Sequence, residues 1–221
     1  MTVTTGDAAE RLGVSPRQVQ RLIASGELAA ERTAGDAWLV DALALNALVR
    51  ARPSRGRPWT APTAWAALWW LSGLDVDWLG GRTEARLRIR LRSLDASDLV
   101  LACRRRATTH RLRASASFLA PLRDQVALTG ASATSLTTFD LTADESRVDA
   151  YCAAGSVGDL TARFHLTPDT RGNVTLRETA LAAVVRDRPT MPTAVVALDL
   201  AESVEPRERA AGLRVLGGLL R

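Results

Sequence analysis

The run Gly13-Val14-Ser15-Pro16 limits what this chain can fold into more than any other four residues in it. Glycine takes the left-handed conformation at little cost and so ends a helix. Serine is a strong N-cap, and proline fits the first helical position, where its missing N–H is no loss. One helix must therefore stop and another start within a single tight turn. The spacing predicts a first helix from Asp7 to Leu12, with Ala8, Ala9 and Leu12 on its inner face and Val14 buried in the turn. The second runs from Pro16 to about Ser25, and Val19, Leu22 and Ile23, three and four apart, form its buried side. Arg17, Gln18, Gln20 and Arg21 are left outside, and Gly26 stops the helix. Met1 to Thr4 reads as a short lead-in.

Leu28 to Arg32 and Ala37 to Val40 have strand character on either side of Thr33-Ala34-Gly35-Asp36, which predicts a hairpin. Asp41 can cap a third helix with Ala42, Leu45, Leu48 and Val49 inward. Taken jointly, Ala8-Ala9, Leu12-Gly13-Val14-Ser15, Val19, Leu22-Ile23, Gly26-Glu27-Leu28, Arg32 and Trp38-Leu39-Val40 resemble the winged helix-turn-helix of excisionase-like and MerR-like regulators. The resemblance implies a second helix that lies in the major groove of double-stranded DNA. Arg17, Gln18, Gln20 and Arg21 would face base edges there, arginine to guanine and glutamine to adenine, each good pair worth ~1–3 kcal/mol of discrimination. Ser15 and the helix N-terminus would anchor a phosphate. Arg32 in the hairpin, with Arg52, Arg55 and Arg57 beyond the third helix, would add phosphate or minor-groove contacts. The competing reading of Arg17 and Arg21 is a solvated helix face. Such modules serve repressors, activators, excisionases and antitoxins alike, so the pattern specifies fold more narrowly than role.

Charge agrees with an anionic partner: the net charge is +5 and the pI about 10.6. All 29 basic residues are arginine, and isoleucine and asparagine are scarce. That bias fits a GC-rich genome, so the sign of the charge carries more meaning than the arginine identity. With 47% hydrophobic and 24% charged residues, the composition is that of a soluble globular protein. No apolar run suits a membrane span and the N-terminus lacks a signal peptide's zones, so a cytoplasmic address is expected. Cys103 and Cys152 lie far apart without ligand-spaced partners, which argues for two buried thiols rather than a metal site or a disulfide.

The organisation expected is a winged helix-turn-helix over residues 1–51, a basic linker over 52–58, and a mixed α/β domain for dimerisation or partner binding over 59–221. The fold class is α+β and helix-rich. Trp59, Trp65, Trp69, Trp70 and Trp78 centre on a helix from about 62 to 72; a core or domain interface is the expected use, and stacking on single-stranded bases the competing one. Asp75-Val76-Asp77 lacks the Gly-Ser turn of a nucleotidyltransferase site at the right distance and reads as a loop. Residues 82–113 carry ten arginines against three acids. Arg86 to Arg92 fits a strand or a helix, and the Glu84–Arg88 spacing favours the helix. Asp95 can cap the next helix, and Arg104, Arg105 and Arg106 would complement its C-terminal dipole, or else touch DNA or an acidic partner.

Strands are expected near 108–114, 147–152 and 174–179, and 126–130 reads as a buried strand or a helix approach. Helices are expected near 117–123, 131–138, 156–164 with Ser156 as its cap, 192–203 and from 206, the last with Ala210, Leu213, Leu216 and Leu220 on one face. His110 and His165 lie far apart, and no catalytic set, metal site or cofactor loop is visible, so the chain is not expected to be an enzyme. Val126 to Ala133, Gly172 to Arg177 and Ala194 to Ser203 followed by Pro206-Arg207 resemble antitoxins of the AbiE type. These join a winged helix-turn-helix to an α/β domain, are commonly partnered with a nucleotidyltransferase toxin, and repress their own operon. Two functions are thereby implied: a transcriptional regulator that represses its own promoter, or an antitoxin whose carboxyl-terminal domain neutralises a cognate toxin. Useful DNA affinity calls for a dimer on paired half-sites, either a homodimer through the domain after 59 or a pairing supplied by a partner protein.

Overall fold

The computed structural model describes residues 2–51, 58–133 and 137–221. The chain divides into two compact units, Met1–Gly56 and Arg57–Arg221. It is a mixed α/β protein with ten α-helices and two sheets among the described residues.

In the first unit, Thr2–Thr4 is not a lead-in but a strand, β1. It pairs antiparallel with β3 (Trp38–Asp41), bringing Val3 opposite Val40, and β3 pairs on its other side with β2 (Ala30–Arg32). Both valines are buried, which is what three residues of alternating sequence gain by joining the sheet. Helix α1 starts earlier than Asp7, at Thr5, and runs to Leu12. Thr4 caps it: its hydroxyl accepts from the Asp7 N–H at 3.1 Å while Asp7 reaches back to the Thr4 N–H. Gly13 closes the helix in the left-handed region at φ 64°, and Val14 is half-buried in the turn. Helix α2 spans Pro16–Ala24 and buries Val19 and Leu22, with Ile23 half-buried. Helix α3 spans Ala42–Ala51, capped by Asp41, whose carboxylate accepts from the Ala44 N–H at 2.8 Å. Arg11 of α1 donates to the Asn46 side chain on α3, tying the two helices together.

The second unit is built on a five-stranded sheet ordered β5 (Ala127–Leu128), β6 (Val148–Ala153), β8 (Val174–Thr179), β4 (Thr108–Arg113), β7 (Thr167–Pro168). Only β6 and β8 run parallel, joined by helix α8 (Ser156–Arg163); the other pairs are antiparallel. Alternation along the strands sorts side chains to two faces. Val148, Ala150 and Cys152 of β6, with Val174 and Leu176 of β8, form one core with α7 (Ala116–Arg123) and α8. Tyr151 goes to the other face, into a larger core with α4 (Ala61–Leu71), α6 (Ala96–Cys103), α9 (Thr193–Ala201) and α10 (Pro206–Leu219).

Trp59, Trp65 and Trp69 are buried in that second core, so their faces are not open to nucleic-acid bases. Trp65 meets Trp69 and Tyr151 edge-on, at centroid distances of 5.6 and 5.1 Å. Residues Gly81–Leu91 form helix α5, with the Glu84–Arg88 ion pair at 2.7 Å. Three expectations change. On α10, Leu216 is buried and Leu213 and Leu220 pack against the core as expected, but Ala210 is exposed and Ala211 and Gly212 take the inner position, where Gly212 has no side chain to hold the α9 backbone away. Helix α8 is capped by Gly155 rather than Ser156. The helix expected over 131–138 is replaced by short 3₁₀ turns at Gly130–Ser132 and Thr137–Phe139, with 134–136 outside the described residues.

Candidate nucleic-acid interface

Helix α2 presents one long outward arc. A 100° step per residue sets Gln20, Ala24, Arg17 and Arg21 side by side, opposite the buried Val19. Arg17, Gln20 and Arg21 are exposed, and Gln18, at the margin of the arc, is half-buried. The side chains of Arg17, Gln20 and Arg21 have no hydrogen bond or ion pair among the described residues. Their guanidinium and amide groups are therefore available to an external acceptor without breaking an internal interaction.

The N-terminus of α2 is equally exposed. Ser15 Oγ accepts from the Gln18 N–H at 3.3 Å, and the Ser15 carbonyl accepts from Gln18 and Val19 at 2.9 and 3.2 Å. The cap uses the Ser15 hydroxyl as an acceptor and leaves its proton free to donate. A phosphate oxygen placed off this end meets that hydroxyl and the positive end of the helix dipole.

Arg32 sits on β2 of the hairpin, held between Asp36 at 2.9 Å and the face of Trp38 at 5.0 Å. The ion pair is solvent-exposed, and exposed pairs contribute ~0–1 kcal/mol, so Arg32 can exchange Asp36 for a phosphate at small cost. Arg52, Arg55 and Arg57 lie outside the described residues. Asp36 and the Thr4/Asp7 cap were not among the expected site residues. The Thr-x-x-Asp spacing was the available signal for the cap; nothing local marks Asp36 as a partner of Arg32.

The second unit separates the basic run into different environments. Arg106 meets the carboxyl end of α6 as expected, donating to the Cys103 carbonyl at 3.2 Å, but it does so from a buried position, only 3% exposed, which the basic run did not reveal. Its guanidinium donates to both oxygens of Glu202 at 3.1 and 2.9 Å, to Tyr151 Oη at 2.6 Å, and to Asp199. Asp199 also accepts from Thr129 Oγ1 at 2.5 Å and Tyr151 Oη at 3.1 Å, and faces Arg177 Nε at 3.1 Å. The carboxylates of Glu202 and Asp199 hold Arg106 charged despite its burial, and burial pushes the Tyr151 hydroxyl well above its ordinary range. Arg177 closes the group through Asp149. This is an internal brace between α9 and the sheet.

A cleft of about 920 Å³ opens at the carboxyl end of β6, with Tyr151, Cys152, Ser156 and Arg123 in its wall. Burial pushes the Cys152 thiol up to about 12, so it stays protonated and unreactive at neutral pH. Arg123 is committed to the carbonyls of Asp144 and Arg147, both at 2.7 Å. His110 pairs with Glu178 at 3.2 Å, and His165 lies against Phe118; neither lines the cleft. No group of three or more metal-ligating side chains occurs among the described residues, and no described helix is long and apolar enough to cross a membrane.

Residues 2–53 match the family model of the helix-turn-helix domain, covering β1 through α3. The arc of α2 thus belongs to a DNA-binding type of module. No curated protein and no solved structure matches the chain.

Proposed function

We propose that this protein is a sequence-specific double-stranded DNA-binding transcriptional regulator that represses its own promoter, acting as a binding protein rather than an enzyme. The observation that carries the reading is the arc of Arg17, Gln20 and Arg21, exposed and without internal partners, on the second helix of a helix-turn-helix domain. In the major groove the two arginines read guanines and Gln20 reads adenine, with Gln18 at the margin of the contact. Ser15 fixes register on a phosphate, and Arg32 on the hairpin acts as a wing contact. A single such module covers roughly 600–1,000 Å² of protein surface, so useful affinity calls for two modules on paired half-sites. The second unit is the candidate for bringing two chains together, and the cytoplasm is the compartment this role requires.

The experiment is a mobility-shift comparison between a duplex from the protein's own upstream region and a scrambled duplex. Wild type should prefer the former, and Arg17→Ala with Arg21→Ala should remove the preference while leaving the fold intact. Unchanged preference in the folded double variant would sink the assignment.

Neutralisation of a toxin is the second reading, favoured by the segments that resemble AbiE-type antitoxins. They fall on β5 and its turn, β8 and α9, all framework elements, so they bear on the fold of the second unit more than on a docking surface. Co-expression with the product of the adjacent gene tests it: rescue of growth supports an antitoxin, and no rescue removes the reading.

A further inference from the structure

Helix α5 is the most basic exposed element described in the second unit. Its inward side is settled by Leu87, which is buried, and by Leu91, which packs against the core; Arg88, 4.8 Å over the Trp70 ring, and its partner Glu84 lie on the flank. Its outward side carries Arg82, Arg86 and Arg90 at four-residue spacing, with Arg92 just beyond the helix; all four are exposed. None of these four side chains has an ion-pair or hydrogen-bond partner among the described residues. Ile89 stands among them, 70% exposed, the one large apolar side chain so exposed among the described residues.

We infer that this stripe is a second DNA contact, made to the phosphate backbone without regard to sequence; the inference rests on the DNA-binding reading above. Unpaired like charges in a row favour an anionic polymer. Residues four apart on a helix rise by ~6 Å, close to two base-pair steps along one strand, so successive arginines can each meet a separate phosphate. A protein partner is the weaker fit. Protein interface cores are depleted in charge and rich in aromatic residues, whereas Ile89 is a lone apolar group between arginines, and single exposed apolar residues are ordinary. Because both units belong to one chain, a weak backbone interaction by the second adds to the first through effective concentration.

The test uses the full chain, its own upstream duplex, the scrambled duplex, and a salt series. R82Q/R86Q/R90Q should make the slope of log affinity against log salt shallower by about 0.9 for each phosphate no longer neutralised, or ~2.7 for three, equally on both duplexes. The preference for the upstream duplex should not change, and Ile89→Ser should alter neither slope nor preference. An unaltered slope in the triple variant, at unchanged melting temperature, overturns the inference and turns the stripe over to an acidic protein surface. So does Ile89→Ser if it weakens DNA binding as much as the triple variant. A wild-type protein that binds neither duplex overturns the underlying reading as well, whereas wild-type preference with an unaltered triple-variant slope overturns the stripe alone.

Discussion

Asp199→Asn should be among the most damaging single substitutions in the second unit. The change keeps shape and removes only charge, so no cavity confounds it. Asp199 is fully buried and neutralises a site shared by Arg106 and Arg177, whose side chains are 3% and 7% exposed. Glu202 still pairs with Arg106 after the substitution, but Arg177 keeps only Asp149 among its named carboxylate partners, and Thr129 and Tyr151 lose a charged acceptor. Removing one partner of a buried ion pair costs ~3–5 kcal/mol. Total domain stability is ~5–15 kcal/mol, so the loss is a large share of it. In a unit of this size each kcal/mol lowers the melting temperature by ~2–4 °C, which places the drop at about 6–20 °C. Urea and thermal unfolding followed by tryptophan fluorescence would read it, since Trp65 and Trp69 pack in the same core. The exposed Glu84–Arg88 pair supplies the control: Glu84→Gln should cost only ~0.3–0.5 kcal/mol. An Asp199→Asn loss no greater than that of the control refutes the brace.

Three further outcomes follow from the packing. Burial pushes both Cys103 and Cys152 from the ordinary 9.0 up to about 12, so the unfolded chain ionises first. Their contribution is intact below pH 9 and is lost as pH climbs toward 12; denaturation midpoints should fall across that window, less steeply in a Cys103→Ala, Cys152→Ala background. Gly212→Ala would drive a methyl group into the α9 backbone at Ala197 and Ala201, and an overpacking cost of ~1–3 kcal/mol should appear in the denaturation midpoint. Ser15→Ala should cost ~0.5–2 kcal/mol of stability through the lost cap, and should weaken binding to promoter and scrambled duplexes alike, which a paired mobility shift would show.

Local chemistry made the first unit legible. Gly13, Ser15, Pro16 and Asp41 each act within four residues of their own position, so their caps could be read before any tertiary contact was known. Strand β1 escaped because its partner β3 lies some forty residues on and three residues carry too little pattern. A still longer separation, 93 and 96 residues to its carboxylate partners, hid Arg106. Beside Arg104 and Arg105 it looks like one more helix-end cation, and only the return of α9 brings Asp199 and Glu202 to it. Periodicity placed Leu213, Leu216 and Leu220 of α10 against the core but missed Ala211 and Gly212, because it scores large apolar residues, whereas a missing side chain at Gly212 lets α10 meet the α9 backbone closely. Among the proposed DNA contacts, the exposure of Arg17, Gln20 and Arg21 follows from helical spacing, but the Asp36 partner of Arg32 follows from the hairpin's turn and appears only in three dimensions.

The most direct test of the central claim is the ratio of affinities for the upstream and scrambled duplexes, measured for wild type and the Arg17→Ala, Arg21→Ala variant over a salt series. A reader of base edges predicts a wild-type ratio well above one that persists at moderate salt and collapses to one in the variant. Equal affinities for the two duplexes in wild type, both vanishing as salt rises, would reduce the α2 arc to simple phosphate attraction and contradict the account.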